Sequence, residues 1–513
     1  MNMNTGNVCL AALGLVLGLL FVTEVNGQPP REYAPRNKAY TEDSEPLKEA
    51  LRKQLAWELR SLDRTGRSKA VVDAVRESFR RNTKGLLRMV DNRAFLKNDT
   101  LQYWVDTVMS TVAIRNAVPR MPVRTLILRA PVANAICFSE GTFVVTTGLL
   151  AGIRTEDELA FALAHELAHY SLEHARKSAF YKAEKKVAKK LQKTTTKILS
   201  DDDAIQENLD TLRSLVYTIS RYSRRDELQA DSLGLMYMKK AGYRPEAAYT
   251  ALLLLDSVGQ SPERLGLRLF EPFQIKSYPF QDYWLAPRPS MYSSRREGPI
   301  FAADSVLSHP EAAARLAALP WQYVVGTAPD APAYVRSTIA LAEFKNVEAA
   351  INTTALDYAL LQALRLKHAY PQHDYPTAAI SRILLQLVRL RGSVSHVKFV
   401  PAYVQYYSQE LRMVNTFLHN LQIGELGELA FNFLNNRDNF NPASREHYFL
   451  LWHICDLTGR PEVAGKVKAN YVTRFGKDDV YSKLKSGPMN APLGGPLQEL
   501  WSGEYRFPHA HRD

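Results

Sequence analysis

The stretch FALAHELAHYSLEH, residues 161–174, sets His165, His169 and His174 together with Glu166 and Glu173 in an otherwise apolar run. A buried helix seldom tolerates so many titratable groups, because each needs a partner to offset its desolvation. The spacing of the apolar residues predicts a helix, and TEDELAFALAHELAH supplies its start, with Thr155 as N-cap and acidic residues in the first turn. On that helix His165 and His169 stack one turn apart on one face, as two ligands of one metal must. Glu166 follows the first histidine, where it reaches a metal-bound water as general base.

An HExxH pattern of this kind needs a third ligand. A metzincin would carry glycine and histidine at two later positions, which here are Leu172 and Ala175, so that class is excluded. An aminopeptidase-like zincin would place its glutamate where Ala188 stands, among lysines. The remaining option is a glutamate four residues before an aspartate in a later helix, and DELQAD supplies Glu227 and Asp231. Glu227 then completes a His, His, Glu site with water in the fourth position. Asp231, one turn further on the same face, accepts the free N–H of a ligand histidine and fixes its tautomer. Alone, Glu227 reads as an exposed helix carboxylate; beside HELAH and Asp231 it reads as a ligand. Glu173 and His174 read as polar residues of a helix end, because at about 100° per residue His174 points away from the His165 face.

Outward from this core, residues 45–118 carry apolar residues at helical spacing and predict two or three amphipathic helices. VRTLILRAPVANAICFSEGTFVVTTGLL, residues 123–150, predicts a short strand, a connection and a hairpin closing on the strand TFVVTT. HARKSAFYKAEKKVAKKLQKTTTK predicts a basic amphipathic helix whose charged face is solvated. A further helix is expected from near Asp201 into the Glu227 segment, ending at Gly242, with Pro245 opening the next. Residues 265–303 show no period and read as a long loop. Ser308 starts another helix, and GTAPDAPA near Gly326 reads as a linker. From Tyr334 to about Leu484 the pattern is helix, turn and helix, tetratricopeptide-like but without a clean period.

At 513 residues the chain exceeds a single core. A hydrophobic fraction of 46% with 23% charged residues excludes disorder throughout. The net charge of +12 comes from basic residues spread along the chain, without any nucleic-acid-binding motif, so a nucleic-acid partner is not expected. Such a surface suits an acidic partner or peripheral association with an anionic membrane. The apolar run from Val8 to Val22, followed by small and polar residues, reads as a signal peptide cut after Gly27, although its start lacks Lys or Arg; an uncleaved anchor is the alternative. Periplasmic or secreted location follows from that reading. Cys137 and Cys455 read as small buried apolar groups and not as a disulfide framework.

HELAHYSLEH, SRRDELQAD and SHPEAAARLAAL, preceded by NAICFSEGTFVVTTGLL, resemble in order and character the HtpX and CAAX-prenyl-protease-like family of gluzincin zinc metallopeptidases. The likeness covers about residues 100–320 and points to the soluble exported branch with C-terminal helical repeats. It implies His165, His169 and Glu227 as ligands of one Zn2+ and Glu166 as catalytic base. It also implies that His309 lies near the metal, stabilising the oxyanion or filling the open coordination site; against this, Ser308 and Glu311 form a capping box that would merely start a helix. An extended substrate is expected to add to a sheet edge formed by TFVVTT and the residues before it, with Asn134, Thr142 and Val144 as the binding residues.

The expected fold is therefore α+β and mostly α. A signal peptide occupies residues 1–27, a zincin-type domain with a small sheet and active-site helices 45–325, a helical repeat-like domain 334–484 and a loose tail 485–513. The expected function is metal-dependent endoproteolysis of exported, misfolded or misassembled polypeptides. The alternative is a chaperone or assembly scaffold that binds a protein partner through its C-terminal helices.

Overall fold

The computed structural model describes residues 44–63, 65–118, 123–192, 224–256, 264–287, 312–318, 331–391, 400, 407–478 and 481–482. His309, the signal-peptide stretch, residues 193–223, the 308–311 capping box and the tail lie outside them.

Three helices open the described chain, α1 (Glu45–Leu62), α2 (Lys69–Asp91) and α3 (Asp99–Arg115). In α2 the buried face runs Val71, Val75, Phe79 and Leu86, the helical period read from the sequence. Three short strands follow, β1 (Arg124–Leu128), β2 (Ala135–Cys137) and β3 (Thr142–Thr146). They lie in the order β1-β3-β2, with β1 parallel to β3 and β2 antiparallel to it. Register is set by pairs such as Leu126 with Val144 and Ile136 with Val144. This corrects the sheet edge expected at TFVVTT. β3 is the central strand, paired on both sides, with Thr142 buried against Gln54 of α1 and Val144 buried with Leu126 and Ile136 instead of lining an edge. The edge beside the hairpin is β2, which Asn134 precedes.

α4 (Thr147–Gly152) leads into α5 (Glu156–Ser171). Thr155 caps α5 as the sequence indicates, and Glu158 closes a capping box with it. From Glu158 to Tyr170 every residue of α5 is buried, so this helix is the axis of the domain and has no solvent face. Around it pack α3, β2, α7 (Arg224–Lys240) and α8 (Ala247–Asp256). The basic helix α6 (His174–Gln192) turns away and lays Phe180 and Ala183 on α2. Gly242 ends α7 with φ +94°, a left-handed conformation suited to glycine.

α5 and α7 come into close contact at Gly234. A Cβ there would meet the backbone of His165 at 3.0 Å, so the absence of a side chain lets the two helices touch.

After the short α9 (Ala312–Ala318) come α10 (Ala333–Asn352), α11 (Leu356–Ala369), α12 (Asp374–Arg391), α13 (Gln409–Asn420), α14 (Ile423–Asn435), α15 (Arg445–Leu457) and α16 (Pro461–Phe475). Residues 265–285, read as an aperiodic loop, pack into this C-terminal core: Leu269, Phe270, Phe273 and Trp284 are fully buried there. Phe273 stacks on Phe417 at 5.4 Å. The amides of Leu265 and Gly266 donate to Glu410 at 2.6 and 2.9 Å, and Arg365 holds the other oxygen of that carboxylate at 2.6 Å. α10 places Val335, Ile339 and Ala342 in the core around α5 and Phe344 and Val347 in the C-terminal one. The packing therefore does not divide between 325 and 334, because a strap from the N-terminal half and α10 each cross that line. Among the described residues no helix is long and apolar enough to cross a membrane. Cys137 and Cys455 are both buried, and neither takes part in a disulfide among the described residues.

α1 seals the β2–β3 turn, with Gln54 reaching the carbonyl of Glu140 at 3.5 Å. Burial raises the Glu140 carboxyl to about 7, the nearby Glu58 carboxylate adding to the effect. A folded-state value above the unfolded one means that folding retains a proton which the unfolded chain releases above about pH 4.5. Stability is thus lost as pH climbs from there to about 7. Glu140→Gln should raise the melting temperature at pH 8, by up to about 3 kcal/mol in stability, with the gain vanishing near pH 4. Equal melting curves for the two proteins at pH 8 would show that the carboxyl ionises freely in the fold.

Candidate metal centre

His165 and His169 project from successive turns of α5, and α7 brings Glu227 against them. The three side chains are buried, and one ligand atom from each lies within 4.8 Å of the others. The Nε2 atoms of the two histidines are 3.0 Å apart, and the Glu227 carboxylate is 3.6 Å from His165 Nε2 and 3.5 Å from His169 Nε2. Asp231, one turn along α7, meets His165 Nδ1 at 3.0 Å. Gly234, a further turn on, is the contact that seats α7 close enough for both carboxylates to reach.

Donor chemistry fits a cation. An ionised Asp231 can only accept, so His165 donates through Nδ1 and its Nε2 is a bare lone pair. That lone pair, the His169 Nε2 and a carboxylate converge among buried side chains, a set that a divalent ion satisfies and that uncharged groups leave in mutual conflict. Burial alone would raise the Asp231 carboxyl; Arg315 and His165 outweigh it and hold it at about 2.

Two participants were not legible in the sequence. Arg315, on α9 and 2% exposed, donates to both oxygens of Asp231 at 2.8 and 2.6 Å and lies 3.3 Å from Glu227. Its one trace in the sequence is a lone cation inside SHPEAAARLAAL, a position where an unpaired arginine would be costly to bury. The other is His174. α5 stops at Ser171, and Glu173 adopts φ +57°, left-handed for a non-glycine residue. That turn breaks the helical phase which would have pointed His174 away. It swings the ring back until its Nδ1 is 2.8 Å from Nδ1 of His169. Burial lowers the His174 pKa below the usual histidine value.

Glu166 sits between the two histidines on the buried α5, 2% exposed. Asn134 is buried at the entry to β2, its backbone amide donating to Thr146 Oγ1 at 2.9 Å. His309 falls outside the described residues, so the structure brings together His165, His169, Glu227 and Asp231 of the expected set and leaves Thr142 and Val144 in the interior of the sheet.

These elements define a zincin-like arrangement: a buried helix with two histidines, and a second helix delivering the carboxylates. Residues 99–321 match the model of peptidase family M48. Among curated relatives it is similar to the mitochondrial metalloendopeptidase OMA1 of Arabidopsis thaliana, 28% identical over 26% of each chain. It is 29% identical to the protein of the same name from Schizosaccharomyces pombe over 31% of this chain and 45% of that one. A putative beta-barrel assembly-enhancing protease of Vibrio cholerae is 27% identical over 31% of this chain and 34% of its own length. The chain thus spans less than half the length of each of these relatives.

Proposed function

We propose that this chain is a zinc-dependent metalloendopeptidase that hydrolyses peptide bonds in exported polypeptides, misfolded or misassembled ones among them. The observation that carries the reading is the convergence of His165, His169 and Glu227 within 4.8 Å, with Glu166 on the same buried helix. Two imidazoles and one carboxylate form a donor set that suits zinc with one position open. When bound, the ion would polarise the scissile carbonyl and acidify the attacking water.

The chain's own groups carry the remaining work. Glu166 accepts the proton of the water and returns it to the leaving amine. Asp231 holds His165 in the tautomer that offers Nε2, and Arg315 holds Asp231. An extended substrate would pair along β2, which has no strand on its outer side among the described residues. Export is supported by the apolar run from Val8 to Val22.

The test is zinc content measured on the purified chain together with cleavage of casein. We expect about one zinc per chain and cleavage that a chelator abolishes and added zinc restores. Cleavage that persists after complete removal of metal would refute the reading.

A further inference from the structure

We propose that His174 is a positioning residue for the metal ligand His169, holding it through an imidazole-to-imidazole hydrogen bond that continues to Gln229. The inference rests on the metal-site reading above and adds to it a group that neither the HExxH spacing nor the third ligand requires.

A neutral His169 that ligates through Nε2 carries its proton on Nδ1. The atom facing that proton is Nδ1 of His174 at 2.8 Å, with the two rings edge to face, 5.0 Å between centroids. To accept, His174 must itself be bare at Nδ1 and protonated at Nε2. Its Nε2 faces Gln229 Oε1 at 3.3 Å, with the Asp226 carboxylate at 3.7 Å, so an acceptor is present for that proton. Each atom along the line His169, His174, Gln229 then has its match, and both rings are neutral.

His165 is oriented by a carboxylate on α7, whereas His169 is oriented by a second imidazole at the start of α6, reached only through the left-handed turn at Glu173. A neutral imidazole acceptor raises the basicity of its partner less than a carboxylate does. The two ligands are therefore set unequally, His165 as the stronger donor to the metal and His169 as the weaker.

Three chains tested side by side decide the point: the wild type, His174→Phe, which keeps a ring and loses the acceptor, and His174→Asn, which restores an acceptor oxygen. Zinc affinity is read by competition with a chromophoric chelator, and the melting temperature of each metal-free protein serves as the structural control. His174→Phe should weaken zinc binding about 10- to 100-fold, and His174→Asn should recover most of that loss. Equal affinity for wild type and His174→Phe would overturn the proposal, as would an equal loss in both variants.

Should the variants fail to fold, nitrogen NMR of histidine-labelled, zinc-loaded wild type still decides. His174 protonated at Nε2 and bare at Nδ1 is the expected signature, and a proton on its Nδ1 overturns the proposal. A wild type that takes up no zinc would overturn the metal reading itself, and this inference with it.

Discussion

Glu166→Gln should retain its metal and lose cleavage by about 10²- to 10⁴-fold, the range that a positioned general base contributes. The amide keeps the size and burial of the carboxylate on α5, and it leaves His165, His169 and Glu227 untouched. Zinc content and the melting temperature should therefore match the wild type while casein turnover collapses. That pairing separates chemistry from folding, which substitution of a ligand would not do. Undiminished turnover by the variant would remove Glu166 from the mechanism. If the variant still supported assembly of a client protein, a binding role for the C-terminal helices would stand beside the proteolytic one.

Arg315→Ala should produce the largest loss of stability at the site, about 3–5 kcal/mol in the metal-free protein. Arg315 is 2% exposed and stands between Asp231 and Glu227, which are 5% and 1% exposed. Its removal leaves two buried carboxylates without their cation, and Asp231 loses the first of the partners that hold its value at about 2. Zinc should restore part of the loss, because the ion supplies a new partner to Glu227 and none to Asp231. Calorimetry with and without chelator measures both quantities. The zinc-induced rise in melting temperature is expected to be greater in the variant than in the wild type. A metal-free variant that melts with the wild type would sink the assignment of Arg315 as the counter-charge of the site.

Much of this site could be read from residue order because helical spacing is a rigid ruler. His165 and His169 one turn apart, Thr155 with Glu158 as cap, and Glu227 with Asp231 on one face all follow from it. Spacing does not report which strand lies in the middle of a sheet. β1 pairs with TFVVTT and places it in the middle of the sheet, a non-local pairing with no local signature. The strap at residues 265–285 was illegible for a different reason: its 3-10 turns are short and separated, and its anchors Leu269, Phe273 and Trp284 fall at irregular intervals. The place of His174 depends on one positive φ at Glu173, a residue type that gives no warning of it.

Gly234 has a consequence for how the centre holds together. The histidines and Glu227 stand on two helices that meet at a residue without a side chain, Gly234 lying against the backbone of His165. A bound ion would fasten the same two helices a second time, so the ion and the glycine act as two pins through one joint. Any side chain introduced at Gly234 should wedge α7 off α5 and draw the carboxylates away from the histidines.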